Sequence, residues 1–117
     1  MIFIKENIEL ICQGKKTETR RIWKKPHVKV GKTYQCRTSR YAKTPEDSPY
    51  IKITAMRKER LGELTPDGIT REGFVDDGTL HSKMAQALRF WELWVNLHGS
   101  WNPDQEVYVI DFEAMRR

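Results

Sequence analysis

Eight consecutive residues, Gly14-Lys15-Lys16-Thr17-Glu18-Thr19-Arg20-Arg21, hold four cations, two hydroxyls and one carboxylate. A turn-forming glycine opens the run. Threonines, which favour extended backbone, are interleaved with the charges. This is the composition of a rim that faces an anion, with a hydroxyl placed to react. Lys15, Lys16, Arg20 and Arg21 belong to the run, and Lys24 and Lys25 follow it closely. Trp23 and Tyr41 lie in the same basic half and are candidates to stack on a nucleobase, a contact that contributes about 1–3 kcal/mol. Each residue also has a plainer reading. Lys16 can be a solvated cation or a phosphate contact, and Thr19 an ordinary strand residue.

The remaining reactive side chains form no pattern. Cys12 and Cys36 lack CxxC spacing and read as free, buried thiols. His27, His81 and His98 are far apart, with no HExxH or HxxxH pairing, so neither a metal site nor a cofactor is expected.

The elements that must position these groups follow from periodicity and turn residues. Residues 7–13 read as a short helix that Gly14 stops, because a positive φ is cheap only for glycine. Residues 17–23 read as extended until Lys24-Lys25-Pro26. Val30-Gly31-Lys32 turns into a strand over 33–40, and 42–49 is a polar loop with two prolines. Alternation over 50–56 gives a strand. Thr65-Pro66-Asp67 is an N-cap with Pro at the first helical position, starting a helix to about Arg71. Gly73 and Gly78 flank an acidic turn. Leu80, Met84, Ala87, Leu88, Trp91, Trp94 and Val95 fall at helical spacing over 80–98, with Gly99 as stop. Trp91 and Trp94 are thus expected in the core, and Trp101 is expected to close a loop over the barrel end. Residues 106–113 alternate as a final strand. No βαβ alternation is present, so the expected class is α+β: a small mixed β-barrel with flanking helices, a single domain over 1–117.

The bulk numbers set limits on function. Apolar residues make up 38%, so the core is modest and the four tryptophans must supply much of it. No apolar run approaches the ~20 residues needed to cross a bilayer, and a soluble, cytoplasmic protein is expected. The net charge of +5 is unevenly spread. Residues 1–60 carry sixteen Lys/Arg and six Asp/Glu, whereas 61–117 carry five and ten. That split predicts a basic face, with nucleic acid as the default partner rather than a membrane. The oligomeric state is open.

With the elements placed, nearly the whole chain resembles an ASCH domain, a branch of the PUA-like superfamily. The resemblance runs through Ile11-Cys12-Gln13-Gly14-Lys15-Lys16-Thr17-Glu18-Thr19-Arg20-Arg21 and Val30-Gly31-Lys32-Thr33-Tyr34. It continues through 53–65, Glu72-Gly73-Phe74, Trp101-Asn102-Pro103 and 107–112. It implies a β-barrel with a cleft lined by the Gly-x-Lys motif, and a role with RNA. The broad pattern is Gly-x-Lys-x-x-Glu-x-Arg. Gly14, Lys16 and Arg21 match it, but Thr19 stands where Glu is common. That departure is similar to the small bacterial branch that hydrolyses N4-acetylcytidine. The resemblance to that branch implies catalytic roles for Lys16, Thr19 and Glu72.

Removing an acetyl group from an exocyclic amine is amide hydrolysis. It needs a nucleophile, a base and an acid for the leaving nitrogen. Thr19, Lys16 and Glu72 fit those roles in turn. On a regular strand, residues 16 and 19 point to opposite faces, so a turn after Gly14 must bring them together. A free lysine titrates near ~10.4, and action as a base near pH 7 requires a shift of about three units, roughly 4 kcal/mol. Neighbouring cations and burial favour that shift, whereas an ionised Glu72 opposes it unless the pair shares a proton. Three functions remain open: an amidohydrolase acting on a modified nucleoside, a non-catalytic RNA-binding module, and a ribonuclease.

Overall fold

The fold is seen in a computed structural model, which describes residues 1–39 and 48–115. Tyr41 lies outside the described residues. The elements in chain order are α1 (Lys5–Cys12), β1 (Glu18–Arg21), β2 (Thr33–Gln35) and β3 (Tyr50–Arg60). A 3-10 turn (Leu61–Glu63), α2 (Pro66–Arg71), α3 (Leu80–His98) and β4 (Glu106–Met115) complete the chain.

The helix ends follow their local chemistry. Gly14 adopts φ 73° after α1, and the amides of Lys15 and Lys16 both donate to Leu10 O, at 2.9 and 3.2 Å. That double bond turns the chain sharply from α1 into β1. The Gly68 amide donates to Thr65 Oγ1 (3.1 Å), so Thr65 caps α2, with Pro66 in the first turn. Thr79 caps α3 through the Ser82 amide, and Gly99 ends it at φ 85°.

The strands form one antiparallel sheet in the order β1-β4-β3-β2. β4 is flanked by β1 (Thr19 opposite Ile110, Arg21 opposite Tyr108) and by β3 (Ile53 opposite Phe112, Lys58 opposite Tyr108). The β3–β4 register slips between Ile53 and Ala55, which leaves Thr54 as an extra residue in a bulge. The expected barrel is corrected here: the sheet is not closed. Among the described residues β1 pairs only with β4 and β2 only with β3, and strands of four and three residues do not carry the ladder round to join the edges. Near the N-terminus a parallel bridge joins Ile2 to Arg37.

A hydrophobic cluster covers each face of the sheet. Tyr108, Ile110 and Phe112 of β4 pack with Phe3, Ile11, Val28, Cys36, Ile51 and Ile53. Val107 and Val109, on alternate positions, pack with Leu61, Phe90 and Trp94. The expected α3 core stripe is corrected in part. Phe90 and Trp94 are the helix's buried anchors, whereas Leu80, Met84, Leu88 and Trp91 are exposed, Trp91 by 43%. The helix carries two apolar stripes, and the sheet underlies only the one that includes Phe90. Trp101 meets Phe90 and Trp94 edge-on at 6.3 Å. Cys36 is buried, which pushes its thiol up to about 11, but Cys12 is exposed at the end of α1. Among the described residues no helix is long and apolar enough to cross a membrane.

Candidate functional site

A cavity of about 400 Å³ lies along β1, one of the two edge strands of the sheet. Lys16, Thr19, Arg21 and Glu72 all line it. Trp23, Phe74, Phe90 and Trp94 provide aromatic surface, and Ile2 to Ile4 form another wall.

Lys16 leaves the turn after Gly14 and reaches the end of α2. It is only 3% exposed. Its Nζ donates to Glu72 Oε1 (2.7 Å) and to the Glu72 carbonyl oxygen (3.0 Å), joining residues 56 apart in sequence. Glu72 is the C-cap of α2 and 4% exposed, so the ammonium satisfies a helix-end carbonyl as well as the carboxylate. The next residue makes this approach possible. Gly73 has φ 110°, and a Cβ there would stand 2.9 Å from Leu10 Cδ1 and 3.4 Å from Lys16 Cβ. The Thr17 amide donates to Arg71 O (2.8 Å) and fixes the same junction.

Thr19 Oγ1 accepts from Arg21 Nε (3.3 Å). One hydroxyl lone pair is thereby occupied, while the hydroxyl hydrogen stays available. Arg21 also donates to Ile2 O (2.7 Å), and its guanidinium lies 4.8 Å from the centre of the Phe3 ring. Burial holds Arg21 below the ordinary arginine range, against the opposing charge of Glu72.

Arg20 turns away from Thr19 into a network of ion pairs. It donates to Glu72 Oε2 (3.2 Å) and, with Nε and NH2, to Glu59 Oε1 (3.1 and 2.8 Å). Its NH1 lies 2.7 Å from Glu18 Oε1, a charge contact without hydrogen-bond alignment. Arg71 donates to Glu18 Oε2 (2.9 Å), and Arg57 donates to Asp111 Oδ2 (3.2 Å). Burial works against the Glu18 charge, but hydrogen bonds from Asp111 and Arg71 and the charges of Arg20 and Arg71 hold its carboxyl below the usual range. Its cross-strand neighbour Asp111 is pushed up to about 6 by burial, then by the hydrogen bond and charge of Glu18.

The candidates from sequence thus fall into three groups. Lys16, Thr19, Arg21 and Glu72 meet in the cavity, and Trp23 lines it, half-buried and stacked on His27 at 4.6 Å. Arg20 also borders the cavity, but its guanidinium is committed to three carboxylates. Gly14, Lys15, Lys24 and Lys25 are exposed. Sequence reasoning missed Phe74, Phe90 and His98 as lining residues. His98 follows Trp94 by one helical turn, with ring centres 4.2 Å apart, and that i, i+4 spacing is the signal that could have paired them.

No family model and no curated protein matches the sequence. Solved structures do. An ASCH domain from Lactobacillus crispatus aligns at 17% identity over 93% of this chain and 70% of that one, with a TM-score of 0.59. An ASCH protein from Zymomonas mobilis aligns at 15% identity over 99% and 69%, with a TM-score of 0.58. A protein of the DUF984 family from Enterococcus faecalis aligns at 16% identity over 97% and 74%, with a TM-score of 0.59. At such low identity the likeness concerns the backbone alone. The chain therefore has an α+β fold similar to that of these ASCH-domain structures.

Proposed function

We propose that the protein hydrolyses the acetyl amide on the exocyclic amine of a nucleobase, with N4-acetylcytidine as the substrate. One observation carries this reading. Lys16 and Thr19, neighbours in one motif, line one cavity with aromatic walls together with Glu72 from a distant part of the chain, and the lysine and glutamate are hydrogen-bonded at 2.7 Å. Its volume of about 400 Å³ is in the range of small-molecule sites. Flat aromatic walls suit a base.

The Lys16–Glu72 contact supports this reading. The ion pair is one proton transfer from a neutral amine and a neutral carboxylic acid, the base and acid that the reaction needs. Neutral Lys16 takes the proton of Thr19, and Thr19 Oγ attacks the acetyl carbon. The C–N bond breaks as Glu72 protonates the departing N4, releasing cytidine. Water then hydrolyses the acetyl-threonine ester and releases acetate. Arg21, already bonded to Thr19 Oγ1, stabilises negative charge on the oxygens at that point.

The test is incubation of the pure protein with N4-acetylcytidine, with cytidine as the readout. Lys16→Ala and Glu72→Gln are expected to lower kcat at least about a hundredfold. Full turnover by Lys16→Ala would sink the proposal, as would a wild-type protein without activity. The exposed cations Lys15, Lys24 and Lys25 favour a second reading, a non-catalytic RNA-binding module. It requires RNA affinity at low salt that weakens as salt rises, in a protein inactive on the nucleoside.

A further inference from the structure

A second cavity, of about 390 Å³, adjoins the first. The two share Ile22 and Trp23. Lys24, Lys58 and Tyr108 line the second one, with Glu106 as the one carboxylate among its lining residues.

The cations of the two cavities are in opposite states. In the first, Lys16 is bound to Glu72 and Arg20 to three carboxylates, while Arg21 donates to Thr19 and to a main-chain carbonyl. These groups are committed, and an anion entering there would have to displace them. In the second cavity neither Lys24 nor Lys58 forms an ion pair among the described residues, and both are exposed. The Lys58 Nζ lies 5.2 Å from the centre of the Tyr108 ring, held by the π-face rather than by a carboxylate. Glu106 stands opposite Arg60 of β3. Two cations with no carboxylate bound to them border an aromatic floor, next to a cavity suited to a base.

We propose that this second cavity is the phosphate subsite of the same binding cleft, so that the preferred ligand is a cytosine nucleotide and not the free nucleoside. The base occupies the cavity beside Lys16, Trp23 lies at the boundary, and Lys24 and Lys58 hold the phosphate ester. This placement rests on the proposed function for the position of the base, but not on turnover. The phosphate can belong to a mononucleotide or to the phosphodiester of an RNA chain, and the chemistry recognised is the same.

The test uses ligands that cannot react. Binding of cytidine, cytidine 5′-monophosphate, cytidine 3′-monophosphate and a cytidylyl dinucleotide is measured by calorimetry. The partners are the wild type, Lys24→Ala/Lys58→Ala and Lys24→Arg/Lys58→Arg. Wild type is expected to bind at least one phosphorylated ligand about tenfold more tightly than cytidine, a preference that shrinks with salt. The double alanine variant loses the preference, and the double arginine variant keeps it. Which ligand benefits identifies the source: a monophosphate points to free nucleotides, the dinucleotide alone to RNA. Circular dichroism checks that the variants fold. Equal affinity for cytidine and every phosphorylated ligand, undetectable binding of all of them included, overturns the proposal. So does a preference that survives the double alanine substitution. Because no acetyl group is present, a protein without amidohydrolase activity can still pass, and an active one can still fail.

Discussion

Lys16 illustrates how one side chain is given two duties. Its Nζ closes the end of α2 through the Glu72 carbonyl and pairs with the Glu72 carboxylate. The sequence shows a lysine in a cationic run and cannot show that its counter-charge lies 56 residues away. Thr19 was more legible, because its place in the motif is local. Arg20 was less so: in sequence it is one more cation, and in the fold it pairs with the buried carboxylates of Glu18 and Glu72 and the half-buried one of Glu59. The residue with a clear pH signature is Asp111, which lies outside the cavity. Its pKa is raised to about 6, so the folded state binds this proton more tightly than the unfolded chain. The associated stability is present below the ordinary carboxylate pKa and is lost as pH rises through about 6. Asp111→Asn imitates the protonated form at every pH. The Tm of the variant, relative to wild type, is expected to rise between about pH 4 and pH 7. A difference that stays constant over that interval would show that Glu18 and Asp111 do not compete for a proton.

The elements were legible where local chemistry decides them. Thr65-Pro66 starts α2 and Gly99 ends α3 as their residue types require. The final strand was found but ends at Met115 instead of 113. β3 was read as stopping near Met56, because Arg57-Lys58-Glu59-Arg60 shows no apolar alternation; pairing with β4 carries it to Arg60. That extension is tertiary, set by a partner strand fifty residues away. On α3 the period was right and the face only in part: Trp94 is buried as expected, and Trp91 is not. The more conspicuous stripe, Leu80, Met84, Leu88 and Trp91, is exposed, and burial falls to Phe90 and Trp94 because they meet Leu61, Val107 and Val109. The two stripes predict different costs. Trp94→Ala should destabilise the fold by about 3–5 kcal/mol, the usual cost of truncating a large buried ring. Trp91→Ala should stay within about 0.5 kcal/mol, as expected of a surface position. Urea midpoints of the two variants decide the matter, and equal losses would mean that the helix is seated on its other stripe.

At the scale of the whole molecule, the charge asymmetry along the chain does not become two separate bodies. β4, from the acidic half, is inserted between β1 and β3 of the basic half. Lys16–Glu72, Arg20–Glu72 and Arg57–Asp111 all join the halves. Both hydrophobic clusters also depend on β4, one on Val107 and Val109 and the other on Tyr108, Ile110 and Phe112. The two cores should therefore unfold together. Far-ultraviolet dichroism and tryptophan fluorescence should give a single coincident transition in urea. Ile110→Ala should lower that whole transition by about 2–5 kcal/mol rather than splitting it. Two separate midpoints would show that each face of the sheet holds on its own. The span between Lys16 and Glu72 has a last consequence, for timing. Such distant partners meet only after the intervening chain has been made and its loop closed. A nascent chain that has emerged only as far as β3 carries Lys16 and Thr19 but has no Glu72. The pair can form only once α2 has been made, so under the proposed function the site stays incomplete until that point of synthesis.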